Sequence, residues 1–161
     1  MATEIERKFL IKHVGWRASA DGGTRFQQGY LCRVVGRTVR VRLAGEQAYL
    51  TIKGETVGLA RAEYEYAIPV ADAIQMLDQL CERPLIEKTR YLVPHAGLTW
   101  EVDVFEGANT GLIIAEIELV SAEQAIPLPD WIGQEVSDDP RYYNANLVER
   151  PFGGWNIERE R

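Results

Sequence analysis

The sequence predicts a mainly β protein of the α+β class, with eight antiparallel strands in a sheet or closed barrel and a few helices packed outside. Several segments alternate polar and apolar residues with a period of two, which is the pattern of strands with one apolar face. Turn-forming glycines separate them, and few helical stretches intervene, whereas a parallel βαβ sheet would alternate strands with helices. Eight strands can also close into a barrel that holds a small ligand.

The elements follow from this alternation and from the residues that interrupt it. A helix is predicted over 70–81, where apolar residues recur with helical spacing. A second helix is predicted over about 140–149, since Asp139 and Pro140 suit its N-cap and first position. We expect one domain over 1–150 and a loosely ordered tail over 151–161. The strands are predicted near 3–11, 25–33, 37–44, 47–53, 60–68, 86–93, 98–106 and 111–120.

Composition excludes several classes of protein. The net charge of −6 argues against an exposed nucleic-acid surface, which normally carries a basic excess. No apolar run approaches the ~20 residues of a membrane span, and the first residues lack a secretory pattern, so we expect a cytoplasmic protein without a membrane partner. Cys32 and Cys81 are too few for a disulfide scaffold and form no CxxC pair for zinc.

Charged residues occupy alternate positions along several predicted strands. In "EIERKFLI", Glu4, Glu6 and Lys8 share one face, and Arg7 falls on the opposite face with Ile5 and Phe9. Residues at i and i+2 lie roughly 7 Å apart along a strand. The other rows are Arg40 with Arg42, Thr51 with Lys53, Glu63 with Glu65, Lys88 with Arg90, Glu101 with Asp103, and Glu116 with Glu118.

These rows are open to two interpretations. On a solvated sheet face, a same-sign pair at this distance repels by only about 0.6 kcal/mol, which a stable protein tolerates. In a partly enclosed site the repulsion approaches about 2.4 kcal/mol, and a solvated face would gain more from mixed signs across strands. Because whole strands here are acidic and others basic, we favour a barrel whose charged face lines a polar lumen.

The residue types in the rows indicate the chemistry of such a lumen. Carboxylates are hard oxygen ligands that suit Mg²⁺ or Mn²⁺. Arginine and lysine rows suit phosphate, because guanidinium binds its oxygens in a bidentate manner. Together they provide what metal-assisted phosphoryl transfer needs. No Walker-type glycine loop is present, so a P-loop NTPase is excluded.

At residues 4–8, "EIERK" resembles the ExExK signature of the CYTH superfamily, whose members are also called triphosphate tunnel metalloenzymes. The similarity extends to about residue 147 through "RVRL", "TIKG", "GLARAEYE", "EKTRY", "EVDVFEG", "AEIEL" and "EVSDDPRYYNANL". This resemblance implies an eight-stranded antiparallel barrel with a hydrophilic tunnel and a C-terminal plug helix. It also implies a divalent cation and a small-molecule triphosphate substrate.

The resemblance assigns candidate catalytic roles residue by residue. The metal-binding acids correspond to Glu4, Glu6, Glu116 and Glu118. The phosphate-binding cations correspond to Lys8, Arg40, Arg42, Lys53, Lys88 and Arg90. Acids that support metal, water or basic side chains correspond to Glu63, Glu65 and Asp103. Tyr30 resembles a tunnel tyrosine that meets the C-terminal helix, and Arg141 with Tyr142 lies in that helix, where Pro140 replaces the expected lysine.

The chain most resembles small bacterial inorganic triphosphatases, so we expect hydrolysis of tripolyphosphate to pyrophosphate and phosphate. A class IV adenylyl cyclase, a nucleoside triphosphatase and a thiamine triphosphatase stay open as alternatives. Those substrates need a pocket for an organic group, ideally an aromatic platform. A binding module for polyphosphate is a further alternative, although binding alone gains little from so many carboxylates. The apolar outer face of such a barrel is compatible with a homodimer.

Overall fold

The computed structural model describes residues 3–155. Within that range the chain forms strands β1 (Thr3–Ile11), β2 (Thr24–Val34), β3 (Arg37–Ala44), β4 (Gln47–Gly54), β5 (Ala60–Ala67), β6 (Ile86–His95), β7 (Leu98–Glu106), β8 (Ile113–Glu118) and β9 (Ile132–Glu135). The α-helices are α1 (Val70–Gln79) and α2 (Asn144–Glu149). Short 3₁₀ turns occupy Val14–Ser19, Gly107–Asn109, Pro140–Tyr142 and Phe152–Trp155.

The strands close into an antiparallel barrel. Neighbours around the wall follow the order β5, β4, β3, β2, β6, β7, β8 and β1. β1 also pairs with β5, from Thr3 opposite Ala62 to Ile5 opposite Ala60, and this pairing completes the circle. Gly36 and Gly45 adopt positive φ values of 90° and 59° in the turns on either side of β3, a conformation that glycine tolerates best. The predicted eight-stranded barrel is confirmed.

Alternation along the strands places the apolar side chains outside the barrel wall, where other segments cover them. Trp16 and Trp100 are fully buried on one side, in a cluster that includes Phe9 and Trp131. Over another part of the wall, Ala73 and Leu77 of α1 pack with Val41 and Ala48. Each large side chain buried in this way contributes about 1.5–3 kcal/mol. The hydrophobic core therefore surrounds the barrel and leaves its interior to polar residues.

The C-terminal part of the chain differs from the prediction. The helix expected over 140–149 is interrupted at Tyr143, whose extended backbone (φ −73°, ψ 132°) separates the 3₁₀ turn from α2. The expected loose tail is also wrong where it is described, since Phe152 and Trp155 are buried against Tyr30 and Phe105. Two aromatic residues in "FGGW" outweigh the flexibility of its glycines. Residues 156–161 lie outside the described range.

Other elements differ in extent, and one was not predicted. β8 covers Ile113–Glu118 rather than 111–120, and α1 ends at Gln79 rather than 81. β9 was not predicted, because "IGQE" is too short to show alternation; it pairs with the second half of β1, with Phe9 opposite Glu135. Cys81 is buried, Cys32 is half-buried and both are free thiols. Among residues 3–155, no helix is both long and apolar enough to span a membrane.

Candidate functional site: a tunnel with opposed charges

The barrel encloses a cavity of about 310 Å³. Strand pleating explains its lining, because the polar residue at every second position points inward. Of the predicted site residues, only Asp103 does not line the cavity, since it is fully buried beneath its surface. The predicted residues that line it are Glu4, Glu6, Lys8, Tyr30, Arg40, Arg42, Lys53, Glu63, Glu65, Lys88, Arg90, Glu116 and Glu118.

Strand order separates the charges of the lining by sign. The cations of β3 and β6 flank β2, and together these three adjacent strands form what we call the basic arc, with Arg40, Arg42, Lys88 and Arg90. The carboxylates lie on the adjacent strands β7, β8, β1 and β5, which we call the acidic arc, with Glu101, Glu116, Glu118, Glu4, Glu6, Glu63 and Glu65. The two arcs face each other across the tunnel.

In the basic arc, a buried carboxylate supports the cations of β6. The Arg90 guanidinium donates to both oxygens of Asp103, at 2.7 Å from Nε and 2.8 Å from Nη2. Lys88 Nζ donates to Asp103 Oδ2 at 2.7 Å. On β3, Arg40 donates to Thr51 Oγ1 at 3.1 Å. Asp103 therefore acts as a support for basic side chains, one of the roles that the sequence left open for it.

In the acidic arc, two lysines lie between carboxylates. Lys8 Nζ is 2.8 Å from Glu116 Oε1 and 3.2 Å from Glu6 Oε1. Lys53 Nζ contacts Glu4 Oε1 at 3.0 Å and Glu63 Oε2 at 3.3 Å. The resemblance assigned both lysines to phosphate binding, but their contacts here are with carboxylates. They neutralise part of the charge of the acidic arc.

The outer face of β1 carries a different kind of ion pair. Arg7 points away from the tunnel and forms a bidentate pair with Glu135 of β9, at 2.9 Å from Nε and 2.7 Å from Nη2. The sequence had placed Arg7 on the face opposite Glu6 and Lys8, and this prediction is confirmed. The charges on the inner and outer faces of β1 therefore belong to separate groups of ion pairs.

The pKa shifts in the acidic arc reveal an excess of negative charge. Burial, with the nearby charge of Glu116, raises the pKa of Glu6 to about 7, although Lys8 opposes the shift. Burial also raises the pKa values of Glu4 and Glu101. Burial opposes ionisation of Glu116 too, but Lys8 and Arg90 outweigh it and hold its pKa well below the ordinary range. Lys8 and Arg90 thus keep Glu116 ionised, whereas burial and repulsion between carboxylates outweigh the lysines at Glu6 and Glu4.

In the basic arc, the pKa values of two cations are shifted in the opposite direction. Burial, with the charges of Arg90 and Arg42, lowers the pKa of Lys88 to about 7 against the attraction of Asp103. Burial and the neighbouring charges of Arg40 and Arg90 likewise lower the pKa of Arg42. An arginine side chain stays protonated in proteins, so this shift expresses the cost of holding a buried cation beside other cations rather than deprotonation. A bound anion would relieve it.

The arrangement of the carboxylates also bears on a metal site. Within residues 3–155, no three His, Cys, Asp or Glu side chains are arranged to hold a metal ion. The contacts of Glu4, Glu6 and Glu116 with lysines are consistent with this finding. The donor set nevertheless fits a hard divalent cation, because it consists of carboxylate oxygens from the adjacent strands β1 and β8 that face one cavity.

Several polar residues of the site were missing from the predicted set. Glu101 accepts from Arg90 at 3.0 Å, and Arg61 lines the tunnel while it donates to Gly54 O at 2.9 Å. Gln28 and Asn144 contact the basic arc. Glu101 belongs to a charged row of the sequence, so it could have been included in the predicted set. A lone glutamine or asparagine gives no comparable signal in the sequence.

The C-terminal segment reaches the tunnel through other residues than those predicted. Tyr143 and Asn144 line the cavity, whereas Arg141 and Tyr142 are not among its lining residues. Arg141 instead pairs with Asp139 at 2.7 Å, and Tyr142 stacks edge-on against Trp155. The expected contact of Tyr30 with this segment is confirmed, because Tyr30 packs in one cluster with Leu147 and Val148.

A closed eight-stranded barrel with opposed arcs of charge defines a tunnel protein that is built to hold a charged ligand. The profile of the CYTH domain matches residues 2–151, so the chain belongs to the CYTH family. It is 48% identical over 152 residues to the inorganic triphosphatase of Acetivibrio thermocellus, covering 94% of this chain and 97% of the relative. It is 39% identical over 154 residues to that of Nitrosomonas europaea, covering 91% and 97%.

A solved structure agrees with these relatives. The crystal structure of an inorganic triphosphatase aligns with a TM-score of 0.65 at 35% identity, and the alignment covers 92% of this chain and 95% of the other. The resemblance drawn from the sequence motifs is therefore confirmed at the level of family and fold.

Proposed function

We propose that the protein hydrolyses inorganic triphosphate to pyrophosphate and phosphate within its tunnel, with the help of a divalent cation. One observation carries the proposal: an arc of cations faces an arc of carboxylates across a single enclosed cavity. The first arc suits a polyanion and the second suits a hard cation. The relatives named inorganic triphosphatase support the same activity.

The chain's own residues would bind and orient the phosphate chain. Arg40 and Arg42 of β3 offer planar donors for pairs of phosphate oxygens. Lys88 and Arg90 offer further cations from β6, on the other side of β2. These donors are already in place before any ligand binds, so they stabilise charge on the transferred phosphoryl group and the leaving pyrophosphate without reorganisation. The enclosing barrel wall limits access of bulk water.

The acidic arc would hold the cation through Glu4, Glu6, Glu116 and Glu118, and we propose Mg²⁺ or Mn²⁺ because the donors are oxygens. Bound there, such an ion would neutralise phosphate charge and lower the pKa of a water molecule. Lys8 and Lys53 already neutralise part of this arc. Glu101 has a raised pKa, so it is a better proton acceptor than an exposed carboxylate.

The structure bears on the alternative substrates. A nucleotide or thiamine triphosphate would need an aromatic platform for its organic group. Each tryptophan of the described chain is buried in a core cluster, and none lies among the residues that line the tunnel: Trp16, Trp100, Trp131 and Trp155. Tyr30 and Tyr143 are the aromatic residues of the tunnel lining, so a substrate panel, rather than the aromatic content, decides between an inorganic triphosphate and the substrates of a cyclase, a nucleoside triphosphatase or a thiamine triphosphatase.

A substrate panel tests the proposal. Tripolyphosphate, ATP, thiamine triphosphate, pyrophosphate and long-chain polyphosphate are incubated with the protein and Mg²⁺ or Mn²⁺, while phosphate and cyclic AMP are both measured. We expect phosphate release to be fastest from tripolyphosphate and cyclic AMP to be absent. Faster turnover of ATP or thiamine triphosphate would replace the proposed substrate.

A polyphosphate-binding module is distinguished by a second measurement. Tripolyphosphate should raise the melting temperature in metal-free buffer through the basic arc, by binding linkage. If it does so and no panel member is hydrolysed when metal is added, the protein is a binding module rather than an enzyme.

The predicted homodimer and cytoplasmic location stay predictions. On the outer wall, Ile52 of β4 and Tyr64 and Tyr66 of β5 are exposed, so this face has apolar surface available for self-association. Light scattering after gel filtration would give the oligomeric state.

A further inference from the structure

The strand between the two cationic strands has no charged residue pointing into the tunnel. β2 contributes Tyr30 to the lining of the tunnel, and Phe26 and Gln28, at alternate positions on the same face, are buried beside the cations that its neighbours β3 and β6 supply. The registers place Gln28 opposite Arg42 and Phe26 opposite Lys88. A strand of neutral side chains thus separates the two cationic rows around the wall.

Two amide side chains join the rows. Arg42 Nε donates to Gln28 Oε1 at 2.8 Å, and Gln28 Nε2 donates to Asn144 Oδ1 at 3.2 Å. Lys88 Nζ donates to the same Asn144 oxygen at 3.0 Å. Gln28 is fully buried, and each of its amide ends has a partner, so its orientation is determined. Arg42 and Lys88 are thereby connected through the side chains of Gln28 and Asn144 in series.

Phe26 supports the same cations from another side. Its ring centroid lies 4.6 Å from the Arg42 guanidinium carbon, 4.9 Å from that of Arg90 and 5.9 Å from Lys88 Nζ. A ring face attracts a cation without neutralising it. The ring and the amides therefore hold these cations close together and add no negative charge to that which Asp103 already supplies to Lys88 and Arg90.

Asn144 is delivered to this position by the C-terminal segment. It is the first residue of α2, and Leu147 and Val148 of the same helix are buried against Ile86 and Ile114 of the barrel. Phe152 and the strands share that cluster. Docking of α2 thus places the Asn144 amide beside Lys88.

We propose that Gln28 and Asn144 are positioning residues, which together hold Arg42 and Lys88 at a separation suited to a polyphosphate. A carboxylate at either place would hold a cation more strongly but would cancel its charge, as Asp103 does for Arg90. An amide fixes geometry and leaves the positive charge for the ligand. The inference rests on the proposed function only in taking a polyphosphate as the anion.

The test uses tripolyphosphate as the probe and the full chain as the protein. Gln28→Met and Asn144→Ala are made singly and together, and the dissociation constant is measured by calorimetry in metal-free buffer. Each single change should weaken binding about tenfold, because a cation loses a fixed partner. The double change should also weaken it about tenfold, since both residues serve one connected series. Turnover with Mg²⁺ is measured separately, with kcat and KM resolved.

Gln27→Met is the matched control on the same strand, because Gln27 does not line the tunnel and its amide donates to Glu87 Oε1 at 3.5 Å rather than contacting a cation. It should change binding less than twofold, and melting temperatures show whether each variant is folded. If Gln28→Met does not fold, Asn144→Ala against Gln27→Met decides the matter alone. Loss below twofold for Asn144→Ala, or a hundredfold loss in a folded double variant, would overturn the proposal. Absence of wild-type binding would overturn it as well.

The two proposals fail in different ways. Normal tripolyphosphate binding without phosphate release in Mg²⁺ or Mn²⁺ contradicts the proposed hydrolysis but leaves the dissociation constants of the variants to decide the positioning role. Rapid hydrolysis together with unchanged binding in both variants contradicts the positioning role alone.

Discussion

The two arcs of the tunnel wall hold like charges together by different means. In the basic arc, amides and an aromatic ring bridge Arg42 and Lys88, and Asp103 neutralises part of the charge of Lys88 and Arg90 from beneath. In the acidic arc, the lysines Lys8 and Lys53 lie directly between carboxylates. The anion site is therefore preformed, whereas a cation that binds the acidic arc must compete with two lysines.

This contrast predicts that the acidic arc is most sensitive to loss of charge. Glu116→Ala removes a carboxylate that holds Lys8 and that we assign to the cation, so kcat/KM for tripolyphosphate should fall about a thousandfold. Excess EDTA should abolish turnover of the wild type. Both are measured by phosphate release, and Glu135→Ala on the outer face is the control, with a change below threefold. Full turnover in EDTA would show that the acidic arc holds no catalytic cation.

A smaller loss should follow from a change in the basic arc. Arg42→Ala should lower kcat/KM for tripolyphosphate about a hundredfold, about 3 kcal/mol, because a preorganised donor for the phosphate chain is lost. Arg7→Ala is the control, because Arg7 lies on the outer face of the barrel wall. Its pair with Glu135 is on the outside, so kcat/KM should change less than threefold. Equal impairment by the two changes would refute the assignment of Arg42 to the tunnel and Arg7 to the outer face.

The smallest predicted effect concerns the stability of the folded protein and tests the acidic arc in the absence of substrate. Glu6 has a pKa of about 7 in the folded protein against 4.5 as its ordinary value, so the folded state binds its proton more tightly than the unfolded state. Its contribution to stability is therefore complete below about pH 4.5 and lost as pH rises through 7. Glu6→Gln stays neutral at every pH and avoids that loss.

The expected result is a melting temperature that is unchanged at pH 4 and about 3 °C higher at pH 8 for Glu6→Gln in metal-free buffer. Glu135→Gln should behave oppositely at pH 8, because Arg7 lowers the pKa of Glu135 and its charge is stabilising. Calorimetric scans over this pH range provide the measurement. A lower melting temperature of Glu6→Gln at pH 8 would mean that Lys8 outweighs burial and repulsion at Glu6.

Much of the site was predictable because strand alternation is local. Knowing that Glu4, Glu6 and Lys8 share a face requires only a period of two, and the same applies to Arg40 with Arg42 and to the other charged rows. Gln28 and Asn144, which were not predicted, do not belong to any charged row. Gln28 belongs to a neutral row, and Asn144 lies in a segment whose route to the tunnel depends on burial of Leu147. No period in the sequence indicates either contact.

The sequence by itself determined the eight strands of the barrel, the face on which the charged rows lie and the family of the protein, because these depend on spacing between near neighbours and on motifs. The tertiary structure decided which strands became adjacent. Pairing of β2 with both β3 and β6 brought Arg42 and Lys88 into one arc, although they are far apart in sequence. Pairing of β1 with β8 set Lys8 beside Glu116 and made it a partner of carboxylates. Which charges are neutralised and which stay available for a ligand is a property of these long-range pairings, since Coulomb energy depends on distance in space rather than along the chain.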